Sequence, residues 1–96
     1  MFHSGYYVTA ELRLKDLARL DEACLALKVL AEKTLLEPGC SIFVVHHDSA
    51  TSSRFVLWER FDDEAAFRLH FEQAHTLSYL AQDLTEVVQH FATDVL

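Results

Sequence analysis

The sequence predicts an α+β sandwich in which two helical regions cover one face of a four-stranded antiparallel sheet, the ferredoxin-like arrangement. Segments of alternating residues, typical of strands, are separated by segments whose apolar residues recur at helical spacing. Their order is β-α-β-β-α-β, and the only proline, in Pro38-Gly39, marks a turn rather than a domain boundary. We therefore expect a single domain over residues 1–96.

The first half of the chain contains two predicted strands and a helix. Residues alternate from Tyr6 to Leu14, which indicates a strand with one better-buried face. Asp16 can cap the following helix, which Pro38-Gly39 ends. The apolar stripe of that helix consists of Leu17, Leu20, Cys24, Leu27 and Ala31, widened by Leu25, Val29 and Leu36. Residues 40–47 then form a strand that is apolar on both faces.

The second half repeats this order after a polar loop over residues 48–53. Residues 55–61 form a third strand, again apolar on both faces. Asp62, Asp63 and Glu64 favour a helix start there, because the helix dipole attracts negative charge to its N-terminus. The expected inward stripe is Phe67, His70, Phe71 and Ala74, and a further helical segment carries Leu77, Leu80, Ala81 and Leu84. Residues 86–95 form the last strand.

Composition excludes several classes of function. Fifteen acidic against eight basic residues give a net charge of −7, which repels phosphate backbones, so we expect no nucleic-acid partner. No segment has the run of about 18 apolar residues that a membrane span needs. The chain start lacks the pattern of a signal peptide, so we expect a cytoplasmic protein with Cys24 and Cys40 reduced.

The apolar content predicts a homodimer. Apolar residues make up 51% of this short chain, more than a small domain buries alone. Two predicted strands are apolar on both faces, whereas the helices cover only one face of the sheet. We expect the uncovered faces of two copies to pack together through Ile42, Val44, Val56 and Trp58.

Three segments, in their order and spacing, resemble the antibiotic biosynthesis monooxygenase family. They are residues 37–40 (Glu-Pro-Gly-Cys), residues 54–59 (Arg-Phe-Val-Leu-Trp-Glu) and residues 63–67 (Asp-Glu-Ala-Ala-Phe), the last followed by His70 and His75. The resemblance extends from Tyr6 to Val95. It implies a dimeric α/β barrel built from two ferredoxin-like sheets.

This family includes cofactor-independent monooxygenases of phenolic polyketides and quinols, haem-degrading enzymes, and an isomerase of a phosphorylated sugar derivative. Ala10 stands where the haem degraders carry asparagine, Phe61 where they carry tryptophan, and Leu80 near their haem-ligating histidine. The resemblance therefore implies a monooxygenase that acts on a small phenolic or quinol-type substrate and uses neither cofactor nor metal.

The candidate catalytic residues are His70, Glu59 and His75. Alternation along the third strand places Glu59 and Phe61 on one face, which we expect to meet the helices. His70 lies on the inward stripe of the next helix, so Glu59 could orient it as the base that deprotonates the substrate. His75 would be a second base or a hydrogen-bond partner of the substrate. The expected pocket wall is aromatic and consists of Phe43, Phe61, Phe67 and Phe71.

The sequence also admits other interpretations. The histidines and aromatic residues could be structural, and Glu59 could pair with Arg13 or Arg60. The same base could serve an isomerase or lyase of a small carbonyl compound, or the chain could be a non-catalytic dimeric module that binds a small ligand. His46-His47-Asp48 does not predict a metal site, because neighbouring strand residues point to opposite faces.

Overall fold

A computed structural model describes residues 2–96, and its elements follow the predicted order. The strands are β1 (Tyr6–Leu14), β2 (Cys40–His47), β3 (Arg54–Phe61) and β4 (Thr85–Thr93). The helices are α1 (Leu20–Thr34), α2 (Glu64–His70) and α3 (Ala74–Ala81), and a 3₁₀ turn at Leu17–Arg19 precedes α1.

The four strands form one sheet in the order β2-β3-β1-β4, and every neighbouring pair is antiparallel. This confirms the predicted ferredoxin-like α+β sandwich. The sheet of the single chain is open, with β2 and β4 at its edges, so a closed barrel requires a second copy and stays a prediction. Glu59 lies in the middle of the sheet, opposite Val8 on β1 and Phe43 on β2.

Aspartates start two of the helical segments. The Asp63 side chain accepts a hydrogen bond from the backbone N–H of Ala66 at 2.8 Å, which caps α2 as its sequence predicts. Asp16 accepts from Ala18 at 3.0 Å and so caps the 3₁₀ turn, because α1 begins only at Leu20.

Helix α1 packs on the sheet through a narrower stripe than its apolar residues predict. The residues that it buries are Ala23, Leu27, Leu30 and Thr34. Leu25 lies about 200° around the helix axis from Leu27, and its side chain is 65% exposed. The prediction was therefore wrong for several positions of this region, and the exposed ones are Leu17, Leu25, Val29 and Leu36. In α3 the buried residues are Thr76 and Tyr79, whereas Leu77 and Leu80 face outward.

The core lies between the helices and one face of the sheet. On β3, Phe55, Leu57, Glu59 and Phe61 face the helices and are buried, as strand alternation predicts. The opposite face carries large exposed apolar side chains, among them Val44 (44% exposed) and Trp58 (45% exposed). No helix within residues 2–96 has the length and apolar character needed to cross a membrane.

Candidate active site

The carboxylate of Glu37 contacts two histidines at once. Its Oε2 lies 2.7 Å from Nδ1 of His70 and 2.6 Å from Nε2 of His75. All three side chains are largely buried, with exposed fractions of 8% for Glu37, 4% for His70 and 15% for His75. We call Glu37, His70 and His75 the Glu37 cluster.

Three chain segments meet at the Glu37 cluster. Glu37 lies in the turn between α1 and β2, where its backbone N–H donates to Thr34 and its carbonyl accepts from Cys40. His70 is the last residue of α2, and His75 is the second residue of α3. The break between these two helices turns both imidazoles toward the same carboxylate.

Gly39 allows the turn that carries Glu37 to approach α2. A Cβ at this position would lie 2.6 Å from the Cβ of Ala66, a distance that side chains do not tolerate. Glycine is therefore required here for close packing. The Pro38-Gly39 pair thus ends the first helical region and also lets Glu37 reach His70.

The hydrogen bonds of Glu37 fix the tautomers of both imidazoles. An ionised carboxylate can only accept, so Nδ1 of His70 and Nε2 of His75 carry the hydrogens. The other ring nitrogens, Nε2 of His70 and Nδ1 of His75, make no hydrogen bond to any residue within 2–96. These two nitrogens are therefore the ones that can accept a proton from a ligand.

The carboxylate that orients His70 is Glu37, and the prediction that Glu59 has this role was wrong. Glu59 lies on β3 beside Phe43, and it is the ring of Phe43 that packs against His70, with ring centroids 5.6 Å apart. Strand alternation places Glu59 on the correct face of the sheet. It does not reveal that Glu37, in the turn before β2, lies within hydrogen-bond distance of His70.

Glu59 also lacks the arginine partners that were considered for it. Arg13 forms its ion pair with Glu86, and Arg60 contacts Ser41 and Asp62. Both arginines lie on the sheet face opposite the helices, whereas Glu59 points toward the helices.

Burial makes Glu59 a neutral acid at neutral pH. Desolvation, followed by the negative charge of Glu37, raises the pKa of Glu59 from 4.5 to about 8. Nearby Cys40 is affected in the same way, since burial and the charges of Glu37 and Glu59 raise the pKa of its thiol to about 12. Cys40 therefore stays protonated and is not a nucleophile.

Aromatic rings enclose His70. Its ring centroid lies 5.6 Å from that of Phe43, 5.5 Å from that of Phe61 and 5.1 Å from that of Phe71. Phe67 contacts Phe61 and Phe71 rather than the imidazole. Three of the four predicted wall residues thus touch His70, and Phe71, which is 45% exposed, covers it from the solvent side.

His75 connects the Glu37 cluster to the surface through a groove between α1 and α3. The groove has a volume of about 470 Å³. Its apolar lining includes Leu25, Ala26, Val29, Leu30, Ala74 and Tyr79, and its polar lining includes Glu22, Lys33, His75, Ser78 and Gln82. We call this cavity the α1–α3 groove. Of the two imidazoles, only that of His75 lines it, and none of the four predicted wall residues does.

Comparisons with known proteins place the chain in a family. The sequence profile of the antibiotic biosynthesis monooxygenase family matches residues 5–82, most of the chain. The uncharacterized protein YjcS of Bacillus subtilis (strain 168) is 34% identical over 84 residues, which cover 88% of this chain and 80% of that protein. The chain therefore belongs to the antibiotic biosynthesis monooxygenase family.

Solved structures agree with this assignment. A structure of a protein YjcS superposes with a TM-score of 0.87 at 32% identity, covering 95% of this chain and 98% of that one. A crystal structure of an antibiotic biosynthesis monooxygenase gives a TM-score of 0.80 at 20% identity, covering 95% and 96% of the two chains. A conserved protein of unknown function from Bacteroides thetaiotaomicron gives 0.84 at 21% identity, covering 98% and 100%. At these lower identities the similarity establishes the fold.

The raised pKa of Glu59 predicts a pH-dependent stability. Between pH 4.5 and about 8 the folded protein holds a proton that the unfolded chain has released. The free energy of unfolding should therefore fall as pH rises through this window, by up to about 1.4 kcal/mol per pH unit from this group. Urea unfolding of wild type and Glu59→Gln across this range measures the contribution, which the variant should lack.

The matched control is Glu32→Gln, a change of the same kind at an exposed position on α1. It should keep the wild-type slope. If Glu59→Gln and wild type lose stability equally between these pH values, Glu59 is not a neutral buried acid.

Proposed function

We propose that this protein is a cofactor-independent monooxygenase that acts on a small phenolic or quinol-type substrate bound in the α1–α3 groove. The observation that carries the proposal is the pair of imidazoles held by Glu37, one of them at an apolar groove, in a chain of the antibiotic biosynthesis monooxygenase family. A base beside an apolar binding surface is what such a reaction requires of the protein.

His75 is the proposed base. Its Nε2 donates to Glu37, which leaves Nδ1 free to take the proton of a substrate hydroxyl. The imidazolium formed in this step is stabilised by the adjacent carboxylate of Glu37. His70 is enclosed by aromatic rings and only 4% exposed, so in this proposal it positions Glu37 rather than contacting the substrate.

The groove has the chemistry to hold an aromatic ring with a hydroxyl group. Leu25, Val29 and Leu30 offer an apolar surface to the ring, and Lys33 lines the same groove. Within residues 2–96 Lys33 forms no ion pair, so its ammonium group is available to a developing phenolate. Stabilising that anion lowers the barrier to deprotonation.

The proposed reaction needs no electrons from outside. The substrate anion passes an electron to O₂, and the resulting substrate radical and superoxide combine to form a C–O bond. The proton held on His75 completes the hydroperoxide. Loss of water then leaves a carbonyl on the ring, with one oxygen atom in the product and the other in water. The electrons that reduce O₂ therefore all come from the substrate.

Oxygen uptake with a panel of quinols tests this function. Wild type should consume O₂ with turnover, and His75→Gln, which keeps a donor to Glu37 but cannot act as base, should lower the rate by about 100-fold or more. His90→Gln is the control, because His90 is an exposed histidine on β4, remote in sequence from the cluster. Uptake that is absent in wild type, or equal in wild type and His75→Gln, overturns the proposal. Turnover without O₂ would instead indicate an isomerase or lyase.

We also propose that two copies associate through the sheet face that the helices leave uncovered. Val44 and Trp58 are 44% and 45% exposed there, and Ile42 and Val56 are half-buried beside them. Phe91, which pairs with Thr9 in the register of β1 and β4, extends this apolar surface and is 52% exposed. A contiguous apolar face of this kind favours association with a second, identical face.

Light scattering of wild type and Val44→Asp tests the dimer. Wild type should have the mass of two chains at micromolar concentration, and Val44→Asp should have the mass of one, because the new carboxylate would be buried without a partner. Leu77→Asp is the matched control, since Leu77 is similarly exposed (53%) but lies on α3. A monomeric wild type, or dissociation caused equally by both variants, contradicts the proposal.

A further inference from the structure

We propose that the Glu37 cluster is a binding site for a divalent transition-metal ion. The donor atoms are Nδ1 of His70, Nε2 of His75 and a carboxylate oxygen of Glu37, which all lie within 4.8 Å of one another. Nothing in the sequence spacing predicts this site, because Glu37 lies far along the chain from both histidines.

The donor set defines the class of ion. Two imidazole nitrogens and one carboxylate oxygen suit Zn²⁺, Co²⁺ and Fe²⁺, whereas Mg²⁺ and Ca²⁺ prefer oxygen ligands only. Three protein ligands leave further coordination positions for water or a small ligand. His75 borders the α1–α3 groove, so those positions are accessible from the surface.

The three donor atoms, which lie within 4.8 Å of one another, must rearrange to share one ion. Ligands about 2.0–2.1 Å from a tetrahedral ion are roughly 3.3–3.4 Å apart. The present contacts of 2.7 Å and 2.6 Å are shorter, so the carboxylate of Glu37 must move back by less than about 1 Å. Each imidazole would shift its hydrogen to its other ring nitrogen, which turns a lone pair toward the ion. Both rings can do this while remaining neutral.

Charge favours a cation at this position. The Glu37 side chain is 8% exposed, and within residues 2–96 no lysine or arginine forms an ion pair with it. A buried carboxylate without a cation is costly. A divalent ion would compensate the negative charge of Glu37. Two neutral imidazoles cannot do so, because they carry no positive charge.

The inference goes beyond the proposed monooxygenase function and is separable from it. An ion on Nε2 of His75 would replace the hydrogen bond to Glu37 that orients the proposed base. Metal and base catalysis would therefore compete for the cluster. Metal binding is measured without substrate, and oxygen uptake is measured in the presence of a chelator, so either can fail while the other holds.

Titration of the chelator-treated, tag-free protein with Co²⁺, followed by visible absorption and calorimetry, tests the site. We expect about one Co²⁺ per chain. His75→Gln and Glu37→Gln should each weaken binding by more than about 100-fold, since they remove a direct ligand. His90→Gln should bind as wild type does. Zn²⁺ should raise the melting temperature of wild type and not that of His75→Gln.

Two results would overturn the site. One is the absence of stoichiometric binding by wild type up to millimolar Co²⁺, as expected if a protonated imidazole neutralises Glu37 instead. The other is binding that both cluster variants retain, which would place the ion elsewhere. If a variant fails to fold, NMR of the wild-type protein can still locate the ion. Paramagnetic Co²⁺ bound at the Glu37 cluster should broaden the ring signals of His70 and His75 before those of the exposed histidines, and the reverse order would contradict the site.

Discussion

The carboxylate of Glu37 lies between two imidazoles inside the helical layer, and its position constrains every segment that meets there. It holds the turn after α1, the end of α2 and the start of α3 at one point. Removing one hydrogen-bond donor from a buried carboxylate lowers the free energy of unfolding by about 1–3 kcal/mol. The positions of the three segments therefore depend on one another. Gly39 belongs to the same constraint, because any side chain there would push the turn away from α2.

The electrostatics of the interior follow from this arrangement. The charge of Glu37 is buried beside His70 and His75, and it makes ionisation of its acidic neighbours harder. Burial first, and this charge second, keep Glu59 and Cys40 protonated, and the cluster is left with one carboxylate and two imidazoles that exchange protons or hold a cation. The catalytic proposal and the metal proposal are two consequences of this single charge.

The two faces of the sheet have separate roles because side chains alternate along β3. Glu59 and Phe61 point to the helices and form part of the surroundings of His70, whereas Val56 and Trp58 point to the uncovered face. The proposed substrate groove and the proposed dimer surface therefore lie on opposite sides of the molecule. Changes to one surface need not disturb the other.

Local patterns were sufficient to predict the fold. Alternation located β1, a segment apolar on both faces located β2, acidic residues located the start of α2, and strand parity placed Glu59 on the helix-facing side. The rotation of α1 was not predictable, because Leu25 and Leu27 are equally apolar and only tertiary packing decides which one is buried. Glu37 could not be assigned to the site either. Its contact with His70 depends on how a turn and a helix end meet, and the only hint was a carboxylate directly before Pro38-Gly39.

Long-range ¹H–¹⁵N NMR of the histidine side chains tests the central claim most directly. If Glu37 accepts from both rings, neutral His70 should be the Nδ1–H tautomer and His75 the Nε2–H tautomer. The ring signals of both should change in Glu37→Gln. An Nε2–H tautomer at His70, with ring signals of both histidines unchanged in Glu37→Gln, would show that Glu37 does not organise this site.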